Sequence, residues 1–144
     1  MQTEVLINGH FAVCHADHIR LFEYASRFGL VTVAINNDYW AKKKYGGGYV
    51  SLKDRAYVLR ACRYVHNVVV FNEETPAELI LQLKPKFIVK GPDYKDRDLD
   101  ERWAIDRVGA KLIFRPGGNQ LSSTAILCEQ EDVEEKTERR LPLY

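Results

Sequence analysis

Little in this sequence directs it toward a charged macromolecule. Lys and Arg total 21 against 20 for Asp and Glu, so no large net field would hold the chain on nucleic acid or anionic lipid, and any bound anion needs a local site. Long hydrophobic runs are missing as well. The longest, residues 65–71, is interrupted by His66 and Asn67 and falls far short of the ~20 residues that span a bilayer. The first residues run Met-Gln-Thr-Glu into Val5-Leu6-Ile7 without a basic segment, a longer apolar stretch or a small-residue cleavage site; secretion is not signalled, and the cytoplasm is the expected compartment. Cys14, Cys62 and Cys128 are odd in number and form no Cys-x-x-Cys pair, which argues against a disulfide framework or a thiolate zinc site. They are expected to be reduced, mostly buried thiols. Neither the phosphate-loop pattern nor Gly-x-Gly-x-x-Gly follows the first apolar run, so a nucleotide would have to be held in another way.

What is present is enough for one substantial core. A chain of 144 residues that is 46% hydrophobic is too short for two ordinary domains. Short β-branched runs alternate with helical periodicity, which is the βαβ signature. The expected strands are 5–7, 30–35, 68–71, 87–89 and 111–114, and the expected helices 17–28, 51–63, one opening at Thr75-Pro76-Ala77-Glu78, and 98–108. Gly29 and Gly109 would serve as helix-terminating residues, and Ser51 through Asp54 resembles a capping box. Residues 36–50 carry Lys42-Lys43-Lys44 and Gly46-Gly47-Gly48 and are expected to form a mobile basic loop. A last helix is expected from Ser122, and residues 129–144 form a charged C-terminal extension beyond the domain at 1–128. Five strands joined by helices imply an α/β fold, a Rossmann-like three-layer sandwich with a five-stranded parallel sheet, whose ligands sit beyond the carboxyl ends of the strands.

The loop after the first strand carries the most chemistry. His15 and His18 are three residues apart where a helix begins, so two imidazoles would share one face beside free backbone N–H groups, a natural seat for phosphate oxygens. Blander readings stand beside this one. A histidine can be a satisfied core or surface residue, a lysine run can be a solvated turn, and a metal site from His10, Cys14, His15 and His18 lacks the usual ligand spacings. No metal-ligating set is assigned.

The stretch Gly9-His10-Phe11 through His15-Ala16-Asp17-His18 resembles the Gly-x-Phe-Asp-x-x-His-x-Gly-His signature of the cytidylyltransferase-like nucleotidyltransferases. Asn37-Asp38, Asp54-Arg55, Phe71-Asn72-Glu73-Glu74-Thr75-Pro76, Val89-Lys90-Gly91-Pro92-Asp93-Tyr94 and Ser122-Ser123-Thr124 resemble further family motifs, in the family's order over about residues 5–127. The fourth and fifth of these six stretches are similar to the heptose branch. The resemblance implies that His15, His18, Lys44 and Arg55 are catalytic, with Arg55 binding acceptor or phosphate. Gly9, His10, Phe11, Asp38, Lys42, Lys90, Gly91, Asp93, Tyr94, Ser122, Ser123 and Thr124 would bind the nucleotide. It further implies Mg²⁺, a nucleoside triphosphate with ATP ahead of CTP, a phosphorylated small-molecule acceptor, and a homodimer without nucleic-acid or membrane partners. Cytidylyl transfer to a polyol phosphate such as glycerol 3-phosphate is the alternative activity, and a non-catalytic nucleotide-binding protein the alternative class. Two positions depart from the signature: Asp17 replaces the glycine between the histidines, where it would cap the helix or help hold Mg²⁺, and Ala12 replaces the aspartate after Phe.

Overall fold

A computed structural model describes residues 3–118 of the chain. The helix expected from Ser122, the 129–144 extension and Cys128 lie outside the described residues. Five strands alternate with helices there: β1 (Val5–Gly9), α1 (Ala16–Ser26), β2 (Val31–Asn36), α2 (Asp38–Tyr45), α3 (Leu52–Arg60), β3 (Asn67–Phe71), α4 (Ala77–Leu83), β4 (Phe87–Lys90), α5 (Arg102–Val108) and β5 (Lys111–Phe114). Short 3-10 turns occupy Gly46–Gly48 and Pro92–Tyr94. Every strand pairing is parallel, in the order β3-β2-β1-β4-β5.

Because side chains alternate across a strand, β1 feeds two cores. Val5 and Ile7 pack with Phe22 and Ala25 of α1 and with Ala56 and Leu59 of α3. Leu6, on the opposite face, packs with Ile88, with Ile80 of α4 and with Ile105 of α5. The sheet is thus covered on both sides, as the expected three-layer sandwich requires, and β2 is buried along all six of its residues. The chain order reverses direction between β1 and β4, and that reversal opens a crevice at the carboxyl ends of those strands.

Several local expectations are corrected. Most of residues 36–50, expected as a mobile loop, is α2 followed by a 3-10 turn, because Asn37 accepts a hydrogen bond from the Trp40 N–H at 3.3 Å and so caps α2. Asp38 lies in the first turn of that helix and the three lysines in its last, an arrangement that complements the helix dipole. Trp40 Nε1 also donates to the Asn72 carbonyl at 2.7 Å, tying α2 to the end of β3. In α4 the cap is Pro76 rather than Thr75, a shift of one residue. Gly29 lies beyond the C-terminal closure of α1 at Arg27; at φ +147 its missing Cβ makes room for the Glu4 side chain, whose carboxylate accepts from the Leu30 N–H. Helix α3 stops at Arg60 rather than 63, and α5 begins at Arg102 rather than 98 because the preceding turn carries Glu101 inward.

Phe22 has no exposed surface and lies 5.4 Å, centroid to centroid, from the Phe11 ring of the β1–α1 loop. Phe22→Ala is expected to destabilise the fold by about 3–5 kcal/mol, measured as a lowered midpoint in urea.

Candidate functional site

Backbone pairing between β1 and β4 covers Val5 with Phe87 and Leu6 with Ile88. Beyond that point each strand pairs only with its outer neighbour, as Asn8 does with Ala34 and Lys90 with Phe114. The parted ends frame two adjoining cavities. One, of about 270 Å³, lies on the α1 side and is lined by Gly9, His10, Phe11, His15, His18 and Lys44, together with Gly91, Asp93 and Tyr94. The other, also about 270 Å³, lies on the α4–α5 side and includes Thr75, Leu99 and Glu101. Asn8, Gly9, His10, Lys44, Lys90, Tyr94 and Arg97 border both.

The β1–α1 loop is held open by its apolar residues. Phe11 adopts φ 50, a conformation uncommon outside glycine, and its ring packs against Phe22 and, at 4.8 Å, against His18. Ala12 is buried beside it at 1% exposure. His15 is the N-cap residue of α1, so the expectation that Asp17 caps this helix is corrected. Asp17 is instead buried in the first turn and accepts from Arg20 Nη1 at 2.7 Å. A neighbouring guanidinium one turn along therefore compensates the charge that replaces the family glycine.

The two imidazoles that the sequence places on one helical face stack, with centroids 3.8 Å apart and planes inclined by 17°. His18 Nδ1 accepts from the backbone N–H of His15 at 3.3 Å, which puts the proton of neutral His18 on Nε2. Burial, reinforced by the neighbouring His15 and opposed by Asp17 and a hydrogen bond to the Val13 backbone, pushes the pKa of His18 down to about 3. Burial together with the charges of Lys44 and Arg55 pushes that of His10 down to about 4. His15 is lowered chiefly by burial, against the pull of Asp17. All three rings are therefore predominantly neutral at pH 7 and offer N–H donors without a fixed charge. Nδ1 of His10 and Nδ1 of His15 are buried and have no hydrogen-bond partner among the described residues.

Arg55 meets its expected role differently. Its side chain is wholly buried, and each guanidinium nitrogen is turned onto the protein: Nε donates to Val50 O at 2.8 Å, Nη1 to His10 O at 2.9 Å and Asn36 O at 3.0 Å, and Nη2 to Asp38 Oδ1 at 3.1 Å. Asp38 also accepts from the Leu52 N–H at 2.7 Å. Neither residue lines a cavity; they join the starts of α2 and α3 to the β1–α1 loop. Lys90 is similarly enclosed, donating to Glu101 Oε1 at 2.6 Å and Asn8 Oδ1 at 3.0 Å. Of the lysine run, Lys44 reaches both cavities, whereas Lys42 is exposed and lines neither. Ser122, Ser123 and Thr124 lie outside the described residues. Asn8, Tyr45 and Arg97 line the cleft although the sequence assigns none of them as a site residue. The sequence does hint at Arg97, three residues after Tyr94 and stacked over its ring at 5.3 Å.

In chemical terms the α1-side cavity gathers three neutral histidines, Lys44 and Arg97 at the N-terminal end of α1. Such a set binds phosphate oxygens through charge-assisted hydrogen bonds. The lowered pKa values of His10 and His18 also bear on stability. An unfolded chain takes up protons near 6.5 that the folded one refuses until about 4 and about 3, so this contribution is full above pH 6.5 and is lost as pH falls toward 4 and below. The urea midpoint is expected to drop between pH 7 and pH 4.5, and a His10→Gln/His18→Gln double variant to show a shallower dependence.

Comparison with known proteins agrees with this architecture. The cytidylyltransferase-like family model matches residues 6–128. The chain is 35% identical over 127 residues to the D-beta-D-heptose 1-phosphate adenylyltransferase of Bordetella bronchiseptica, covering 85% of this chain and 78% of that one. It is 38% identical over 128 residues to the bifunctional protein HldE of Streptomyces coelicolor, where the match covers 87% of this chain but 28% of the relative. This chain thus spans little more than a quarter of that bifunctional protein. A lipopolysaccharide core biosynthesis protein of Thermoplasma volcanium superposes with a TM-score of 0.67 over 83% of this chain and 100% of that one; at 17% identity it attests the fold alone. With the parallel sheet, its parted β1 and β4 ends and the family match running through nearly all of it, the chain belongs to the cytidylyltransferase-like family of nucleotidyltransferases.

Proposed function

We propose that this protein transfers the adenylyl group of ATP to a sugar phosphate such as a heptose 1-phosphate and releases pyrophosphate. The observation that carries this reading is the stacked His15–His18 pair at the mouth of α1, in one cleft with Lys44 and Arg97. The heptose 1-phosphate adenylyltransferase relative, which this chain matches over most of both lengths, supports adenine as the base and a sugar phosphate as the acceptor. In the proposed reaction an oxygen of the acceptor phosphate attacks the α-phosphorus of the nucleotide as the bond to the pyrophosphate oxygen breaks. No covalent enzyme intermediate is needed. Catalysis then consists of alignment and of neutralising charge on the phosphates, which Lys44, Arg97, the imidazole N–H groups and the α1 amides are placed to do.

The two cavities suggest a division of labour. The α1-side cavity, with its histidines and helix N-terminus, suits the triphosphate. The α4–α5-side cavity adds Glu74, Thr75, Asp98 and Asp100, carboxylates and a hydroxyl that pair well with the hydroxyls of a sugar. Lys44 and Arg97, which border both, would sit where acceptor phosphate and α-phosphate meet. The described residues contain no group of three or more His, Cys, Asp or Glu side chains able to hold a metal. That fits a Mg²⁺ ion carried largely by phosphate oxygens and water, the mode this small hard cation prefers, in which it neutralises phosphate charge when bound.

A pyrophosphate-release panel with Mg²⁺, ATP or CTP, and heptose 1-phosphate or glycerol 3-phosphate tests the assignment. Release is expected with ATP and heptose 1-phosphate; preference for CTP with glycerol 3-phosphate would reassign the substrate, and release with no nucleotide would refute the activity. His18→Gln, which keeps polar bulk against Phe11, is expected to lower kcat by about 10²-fold while leaving the circular dichroism spectrum unchanged.

A further inference from the structure

The interaction between Lys90 and Glu101 is not explained by nucleotide binding or by packing. Lys90 is the last residue of β4, its side chain 6% exposed and that of Glu101 8%. Glu101 stands at the N-cap position of α5, yet its side chain makes no capping hydrogen bond; its carboxylate is committed to the Lys90 ammonium at 2.6 Å. A buried ion pair is a poor source of stability, since apolar residues of similar volume usually serve as well or better. What such a pair supplies is a fixed direction. Here the direction is across the crevice: backbone pairing of β1 with β4 has ended at Leu6 and Ile88, and two residues further on the Lys90 side chain spans the parted strands to Asn8 Oδ1 at 3.0 Å.

Asn8 immediately precedes Gly9 and His10, and the His10 carbonyl is held from the other flank by Arg55. The end of β1 is therefore gripped by two buried cations, each neutralised by a carboxylate. We infer that Glu101 is a positioning residue for the transfer reaction: by holding Lys90 against Asn8 it sets the width of the crevice and the placement of His10 between the two cavities. This inference rests on the adenylyl-transfer reading. It differs from a direct phosphate contact by Lys90. In that case Glu101 would only weaken the contact, and its removal would free the ammonium to bind nucleotide more tightly.

The test uses the full chain as wild type, Glu101→Gln and Lys90→Met. ATP affinity is measured by calorimetric titration, kcat by pyrophosphate release, and local opening by hydrogen exchange over residues 8–11. Both variants are expected to lose about tenfold or more in kcat, since small misplacements of reacting groups are costly. ATP Kd should stay within about threefold, and exchange over residues 8–11 should rise about tenfold. Should Glu101→Gln fail to fold, Lys90→Met/Glu101→Met restores apolar packing and is expected to show the same loss of kcat with near-normal ATP affinity. The inference is overturned by a Glu101→Gln enzyme with unchanged kcat and exchange, by one that binds ATP about tenfold tighter, or by a Lys90→Met enzyme whose sole defect is weaker ATP binding. If wild type releases no pyrophosphate, the adenylyl-transfer reading fails, and the exchange measurement alone then decides whether Glu101 braces the crevice.

Discussion

The site depends on how the end of β1 is held. Sheet hydrogen bonds secure Asn8 and Gly9 to β2 on one side only, because the crevice requires β1 to part from β4. Arg55 and Lys90 supply what the missing ladder would have given. One comes from α3 and grips the His10 carbonyl; the other comes from β4 and grips the Asn8 side chain. Each carries a charge that would be prohibitive in a core without a partner, and each has one, Asp38 and Glu101 respectively. Carboxylates from two later helical segments are thereby recruited to shape a loop near the start of the chain.

That frame explains the electrostatic character of the cleft. With the Arg55 and Lys90 charges spoken for by carboxylates, the more accessible cations are Lys44 and Arg97, both exposed residues bordering the two cavities. The histidines are kept neutral by burial and by neighbouring charge, so they donate hydrogen bonds without drawing a counter-carboxylate into the cleft. Asp17, the one acidic departure from the family signature, is held by Arg20. A cleft of neutral donors and a few exposed cations suits a ligand that brings several negative charges.

Elements set by local sequence are legible in it. Strand β5 at Lys111–Phe114 and the glycine closing α5, with φ +71, follow from a short apolar run and glycine freedom alone. The Ser51 cap of α3 holds, its hydroxyl accepting from the Asp54 N–H at 3.3 Å. Helix α2 departs from the loop that its lysine and glycine composition suggests because the Asn37 cap, itself present in the sequence, prevails. The destinations of Arg55, Asp38 and Lys90 were not legible at all. An arginine that clamps phosphate and one that clamps three carbonyls are the same residue type, and the choice depends on partners up to 45 positions away.

Sequence alone determined the alternation of strands and helices, the placement of His15 and His18 on one helical face and the likeness to a nucleotidyltransferase signature, since these are properties of periodicity, capping and short motifs. Tertiary structure decided which cations face the cleft and which brace the protein. That distinction depends on where β1 and β4 separate and on which carboxylates the later helices bring to that point, and both are long-range consequences of packing two helical layers onto one twisted sheet.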